Sequence, residues 1–118
     1  MSRLLVIDDE AGILEQVQEF FEEEGHEVRV ADTCKDGIEA IRNFLPELVL
    51  LDIKLPDASG IDALKYCKDR FPAIKVIVNT GYVDQGIMDE AERLGGDRFL
   101  QKPFNLVQLK EEVDALLK

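Results

Sequence analysis

Apolar residues arrive along the chain in five short runs, near Leu4–Ile7, Val28–Ala31, Leu48–Leu51, Val76–Val78 and Phe99–Gln101, each followed by a helix-length segment. Uninterrupted apolar runs of this length predict strands buried on both faces, which is the habit of a parallel sheet covered by helices. In the first intervening segment Ile13, Leu14, Val17, Phe20 and Phe21 share one helical face, with Glu15, Glu19 and Glu22 elsewhere, and Gly25 ends it. Ile38, Ile41 and Leu45 predict a second helix, and Ile61, Leu64 and Phe71 a third. Ile87, Ala91 and Leu94 predict a fourth, closed by the "LGG" of Leu94 to Gly96. Asn105 as an N-cap, with Gln108 three residues on, opens a last helix carrying Leu106, Leu109, Val113 and Leu116. Strands alternating with helices, joined by right-handed crossovers, predict an α/β fold with a doubly wound five-stranded parallel sheet. Five βα units in this length suit the flavodoxin-like order 2-1-3-4-5, in which ligands bind at the carboxyl ends of the strands.

Length and charge narrow the picture. With 118 residues, 46% hydrophobic and 33% charged, residues 1–118 are sized for a single domain with a full core. No repeat, linker or low-complexity tract interrupts them. No apolar run is long enough to span a bilayer, and "MSRLLVIDDE" turns acidic too early for a signal peptide, so a cytoplasmic location without membrane contact is expected. Cys34 and Cys67 lie far apart, each without a second ligand pair nearby, and read as buried free thiols. His26, the only histidine, reads as a surface residue at a helix-to-strand turn. A net charge of −11 gives the electrostatic term for nucleic-acid phosphate the wrong sign, so no direct contact with DNA or RNA is expected.

The chemistry gathers at the strand exits. The first strand runs into Asp8 and Asp9, the third into Asp52, the fourth into Asn79 and Thr80, and the fifth into Lys102 and Pro103. Taken singly, each has an ordinary explanation: a chance acid pair, a turn aspartate, a strand threonine, a solvated lysine. Together they fall on one rim of the sheet, where independent accidents would not collect. Two carboxylates about 4 Å apart repel by roughly 4 kcal/mol at an effective dielectric near 20, so such a cluster calls for a cation. All-oxygen ligation favours a hard ion such as Mg²⁺, which shares phosphate oxygens with its substrate. With that ion in place Asp52 can act as a nucleophile toward phosphorus, giving an aspartyl phosphate, while Lys102 and the Thr80 hydroxyl bind phosphoryl oxygens.

The stretches "VIDDE" (Val6 to Glu10), "LVLLDIKLP" (Leu48 to Pro56), Gly60, "NTG" (Asn79 to Gly81) and "FLQKPF" (Phe99 to Phe104), in this order and spacing, resemble the receiver domain of two-component response regulators over essentially the whole chain. The resemblance implies that Asp52 is the phosphoacceptor, supplied from a phosphohistidine on a sensor histidine kinase or histidine phosphotransfer protein. It implies that Asp9, Asp52 and the backbone carbonyl of Lys54 bind Mg²⁺, or another divalent cation such as Mn²⁺, with Asp8 assisting through water. Lys102 would pair with the phosphoryl group, Thr80 would swing toward it, and the Phe99 rotamer would follow Thr80. In the family the bond before the proline of "KPF" is typically cis, which would aim Lys102. Phosphorylation would then reshape the face made by helix four, strand five and helix five, here Tyr82 to Glu90 and around Gln108 to Glu112. That face contacts a downstream output protein or domain, and a homodimer formed on phosphorylation is compatible with it. Gly81, after Thr80, is small and leaves room for movement.

Two features depart from the usual pattern. "LPDASG" lacks a glycine one or two positions after the proline, so the loop after Asp52 is expected to take its own shape. Lys54 and Tyr82 occupy positions that in the family tune loss of the phosphoryl group, and their size is expected to hinder the attacking water. Readings from other classes fit less well. A phosphatase of the haloacid dehalogenase type needs a second acid two residues after its aspartate, where this chain has Lys54. A flavodoxin-type flavin carrier needs a phosphate loop after the first strand, and "DDEAG" would repel phosphate. A receiver fold serving only as an interaction module would leave Asp8, Asp9, Asp52, Thr80 and Lys102 without a task. "NTGYVD" resembles receivers attached to transcriptional activators, while a stand-alone regulator fits equally.

Overall fold

The structure is a computed structural model that describes residues 2–81 and 84–118. Strands β1 (Arg3–Ile7), β2 (Glu27–Ala31), β3 (Leu48–Leu51), β4 (Lys75–Thr80) and β5 (Arg98–Gln101) alternate with helices α1 (Ala11–Glu23), α2 (Cys34–Phe44), α3 (Gly60–Arg70), α4 (Gln85–Arg93) and α5 (Leu106–Leu116). The strands pair in parallel in the order β2-β1-β3-β4-β5, as the sequence pattern predicts.

Both faces of the sheet are covered, which is why its strands read as apolar runs rather than alternating ones. Leu5, Ile7, Val49, Leu51, Val76 and Val78 pack with Ile41 of α2, Leu64 of α3 and Ala91 of α4. Leu4, Val6, Leu48, Leu50, Ile77 and Leu100 pack with Val17 and Phe21 of α1 and Leu109 and Val113 of α5. Among the described residues no helix is long and apolar enough to cross a membrane. Cys34 and Cys67 are buried free thiols, as expected. His26 is half-buried rather than on the open surface, its Nδ1 accepting a hydrogen bond from the Ser2 amide at 3.1 Å.

Helix ends follow the local chemistry. α1 and α4 both close with a glycine at positive φ, Gly25 at 94° and Gly95 at 101°. In each case the glycine amide and the next one return to carbonyls of the last turn, Gly25 to Glu22 and His26 to Phe21, Gly95 to Glu92 and Gly96 to Ala91. Asn105 caps α5, its side chain accepting from the Gln108 amide at 2.6 Å. Leu45, Phe71 and Leu94, expected as members of helices, stand instead at their C-terminal caps. Leu45 takes a left-handed conformation (φ 51°) before Pro46, and the Arg3 guanidinium donates to the Phe44 and Leu45 carbonyls that the helix leaves open. β4 is longer than its apolar run, so Asn79 and Thr80 lie within the strand and not beyond it.

Candidate functional site

Strand register brings the acids together. Ile7 of β1 pairs with Leu51 of β3, so the residues that follow, Asp8 and Asp52, leave adjacent strands side by side. The Asp8 amide still donates to Ala31 O (3.0 Å) and the Asp52 amide to Ile7 O (2.9 Å), so both backbones belong to the rigid sheet. Each aspartate then turns the chain by the same device, accepting from the amide two residues on. Glu10 N donates to Asp8 Oδ1 at 2.9 Å, and Lys54 N donates to Asp52 Oδ1 at 3.1 Å. Asp8 and Asp52 are buried, whereas Asp9 between Asp8 and Glu10 is exposed.

Lys102 enters from β5, where its amide donates to Thr80 O at 3.1 Å. The Lys102–Pro103 peptide bond is cis. The ammonium sits 2.9 Å from Asp8 Oδ2, 2.9 Å from Glu10 Oε2 and 2.9 Å from Asp52 Oδ2. Burial pushes the Asp8 carboxyl above its ordinary range, against the lowering effects of the Glu10 amide and Lys102. Burial also works against the Lys102 charge, but its hydrogen bonds to Asp52, Asp8 and Glu10 prevail and raise its pKa above the ordinary lysine value.

Thr80 is 4% exposed and shares a sheet face with Val78, the register partner of Phe99 on β5. Thr80 and Phe99 therefore face the same layer of helices, and Phe99 is half-buried, packed against the cluster that holds Val78 and Ala91, with its ring tip close to Gly96. Asp9, Glu10, Asp52, Lys54, Thr80, Gly81 and Lys102 line one open depression. A Cβ at Gly81 would meet Lys102 at 3.6 Å, an ordinary contact, so packing alone does not demand glycine there. Gly60 is under a harder constraint, because a Cβ there would collide with the Asp52 carbonyl oxygen and stand 2.8 Å from Ile53 Cα. Tyr82 lies outside the described residues.

One carboxylate oxygen from each of Asp8, Asp9 and Asp52 can be chosen so that the three lie within 4.8 Å of one another. A compact all-carboxylate donor set, partly buried, matches a hard divalent cation rather than a soft metal. Sequence reasoning missed Glu10 as a partner of Lys102. The only available signal was its place as the third acid of "DDE", and nothing in that spacing reveals a lysine 92 residues away.

The response regulator receiver domain model matches residues 4–114. This chain belongs to the response regulator receiver domain family. The receiver is similar to sporulation initiation phosphotransferase F of Bacillus subtilis (strain 168), 31% identical over 115 residues that cover 98% of this chain and 93% of that protein. It is also similar to the regulatory protein AtoC of Escherichia coli (strain K12), at 30% identity over 118 residues, all of this chain but 26% of that one. Among solved structures, a CheY-like response regulator receiver domain protein from Methanospirillum hungatei JF-1 superposes with a TM-score of 0.91 at 34% identity, covering 99% of this chain and 97% of that one. The receiver thus spans nearly all of one relative and about a quarter of another. Its place is in two-component signalling.

Proposed function

We propose that this receiver is a phosphorylation-activated switch with Asp52 as its phosphoacceptor, and that residues 1–118 act as one unit in the cytoplasm. A carboxylate oxygen of Asp52 forms a bond to phosphorus as the P–N bond of a phosphohistidine, on a sensor histidine kinase or histidine phosphotransfer protein, breaks. The electron pair leaves with the imidazole nitrogen, which takes up a proton, so the donor is released as neutral histidine. Asp9, Asp52 and the Lys54 carbonyl would hold a divalent ion, Mg²⁺ or Mn²⁺, with Asp8 assisting through water, and that ion would neutralise phosphoryl charge. Sheet-anchored backbones hold Asp8 and Asp52 before the reaction begins, so little reorganisation is needed.

Lys102 carries the reading. A single ammonium already 2.9 Å from Asp52 is placed to transfer its hydrogen bonds to phosphoryl oxygens once they are attached to that same carboxylate. Thr80, on the neighbouring strand, supplies a hydroxyl to the same group. Its inward turn leaves room for Phe99 to follow, shifting the population of the α4–β5–α5 face that meets the output partner or a second copy. On that face Gln85, Asp89, Glu90, Val107, Gln108 and Glu111 are exposed.

Intact mass after incubation with acetyl phosphate, with and without Mg²⁺, tests this beside an Asp52→Asn variant. The expected result is a Mg²⁺-dependent gain of one phosphoryl group that the variant lacks. No gain from acetyl phosphate or from a phosphohistidine donor, together with no Mg²⁺ uptake, would leave a receiver fold used only for protein interaction.

A further inference from the structure

The loop between β3 and α3 follows the phosphoacceptor and carries an aspartate with no role in the scheme above. Asp57 is exposed, yet its carboxylate is engaged at both oxygens. Cys34 N donates to Oδ1 at 2.8 Å and Lys35 N donates to Oδ2 at 3.0 Å. These are the first two amides of α2, which have no partner within the helix. The third, Asp36 N, donates to its own N-cap Thr33 Oγ1 at 3.0 Å, and Gly37 N donates to Thr33 O. The helix start is therefore satisfied half by its own cap and half by a residue from a different loop. Bonding to the Cys34 and Lys35 amides also holds the Asp57 carboxyl below the usual carboxylate range.

The rest of the loop is fastened at its base. Lys54 and Ser59 form an isolated antiparallel bridge, and Gly60 N donates to Ile53 O at 2.7 Å. The Cys34 thiol lies 3.6 Å from Ser59 O, a second contact between this loop and the first turn of α2. Residues 54–59 thus make a closed arch, with its base just beyond β3, at Ile53 and Gly60, and its tip on α2. The Lys54 carbonyl is in the arch, one peptide from a base that Gly60 allows to close.

We propose that Asp57 is a positioning residue for the Asp52 site: by gripping the start of α2 it holds the arch, and with it the Lys54 carbonyl, in the geometry that receives the cation. This rests on the Mg²⁺ reading given above. Asp57 touches neither the cation nor the phosphoryl group and acts through the backbone.

The test compares the full chain with Asp57→Ala, Asp57→Asn and Thr33→Ala. Thr33→Ala removes the helix's own cap without touching the arch, and so reports what weakening α2 alone does. In Mg²⁺-free buffer, amide exchange at Lys54 and Gly60 is expected to accelerate about tenfold or more in Asp57→Ala, the scale of losing two charge-assisted hydrogen bonds. It is expected to stay at the parent rate in Thr33→Ala. Titration calorimetry with Mg²⁺ is expected to show Kd raised by about tenfold in Asp57→Ala, the low end for losing a group that orients a metal ligand. Asp57→Asn, which keeps one acceptor oxygen, should fall between Asp57→Ala and the parent. Unchanged exchange at Lys54 and Gly60 in Asp57→Ala overturns the proposal, as does an equal effect from Thr33→Ala. An Asp57→Ala Kd equal to that of a Mg²⁺-binding parent overturns it too. A parent that takes up no Mg²⁺ removes the metal reading instead, and the exchange rates then decide whether Asp57 holds the arch.

Discussion

Asn79 lies within β4 immediately before Thr80, fully buried at 0% exposure, and neither its Oδ1 nor its Nδ2 has a hydrogen-bond partner among the described residues. It pairs with Leu100 across the sheet and, two residues after Ile77, faces the layer formed by α1 and α5. A buried amide without partners costs about 1–3 kcal/mol on the scale of protein substitutions. Asn79→Val removes that cost, places a β-branched side chain in a central strand and adds apolar surface to an apolar layer. The expected gain is therefore about 1–3 kcal/mol. Unfolding entropy near 2.1 cal/mol/K per residue over this chain amounts to roughly 0.25 kcal/mol/K, so each kcal/mol raises Tm by about 4 °C. Asn79→Val should accordingly melt about 4–12 °C above the parent. Calorimetry, with urea unfolding to check that the m-value is unchanged, measures it. A Tm equal to or below that of the parent would refute the reasoning, because it would mean the amide is satisfied in the folded chain.

Other expectations follow from the site. Lys102→Met leaves Asp8 and Asp52 buried without their cation and should destabilise the protein by about 3 kcal/mol in Mg²⁺-free buffer, the low end for breaking a buried pair; saturating Mg²⁺ should recover most of the loss in the same urea titration. Asp8→Asn should stabilise the protein in Mg²⁺-free buffer at pH 7. The folded state raises the Asp8 pKa above 3.8, so ionised Asp8 opposes folding above that folded value. The penalty fades as pH falls toward the ordinary carboxylate value, so urea midpoints of variant and parent should converge in acid; a constant gap across pH would contradict this. Lys54→Ala should shorten the lifetime of phosphorylated Asp52, followed by intact mass after donor removal, and a lifetime equal to the parent's would remove the idea that this side chain shields the site from water.

Much of the architecture was legible because a parallel sheet covered on both faces leaves continuous apolar runs, and because Gly25, the "LGG" of 94–96 and Asn105 mark helix ends by chemistry that works locally. Leu45 and Phe71 misled for a physical reason. An apolar residue just past a helix keeps the helical spacing, and only the competing demands of Pro46 and of the cap show that the helix has ended. Asn79 and Thr80 concealed the length of β4, since polarity reads as a strand exit even where the strand continues in burial. Asp8, Asp9, Asp52, Thr80 and Lys102 announced themselves as polar groups at the ends of apolar runs. Glu10 and Asp57 did not, because what they hold, an ammonium from β5 and two amides of α2, is set by the fold and by no spacing along the chain.

The ammonium of Lys102 makes the site a matter of competition. An ion arriving from solution meets carboxylates already served by an internal counter-ion on a four-carbon stem, confined to the site at the high effective concentration that a short tether enforces. Any affinity measured for that ion is a net value, from which the strength of the resident partner has been subtracted. The acids can therefore be numerous without binding a cation irreversibly. A phosphoryl group on Asp52 would change the balance by giving the displaced ammonium somewhere else to go, so the newcomer and the lysine would cease to be rivals and occupy the same site together.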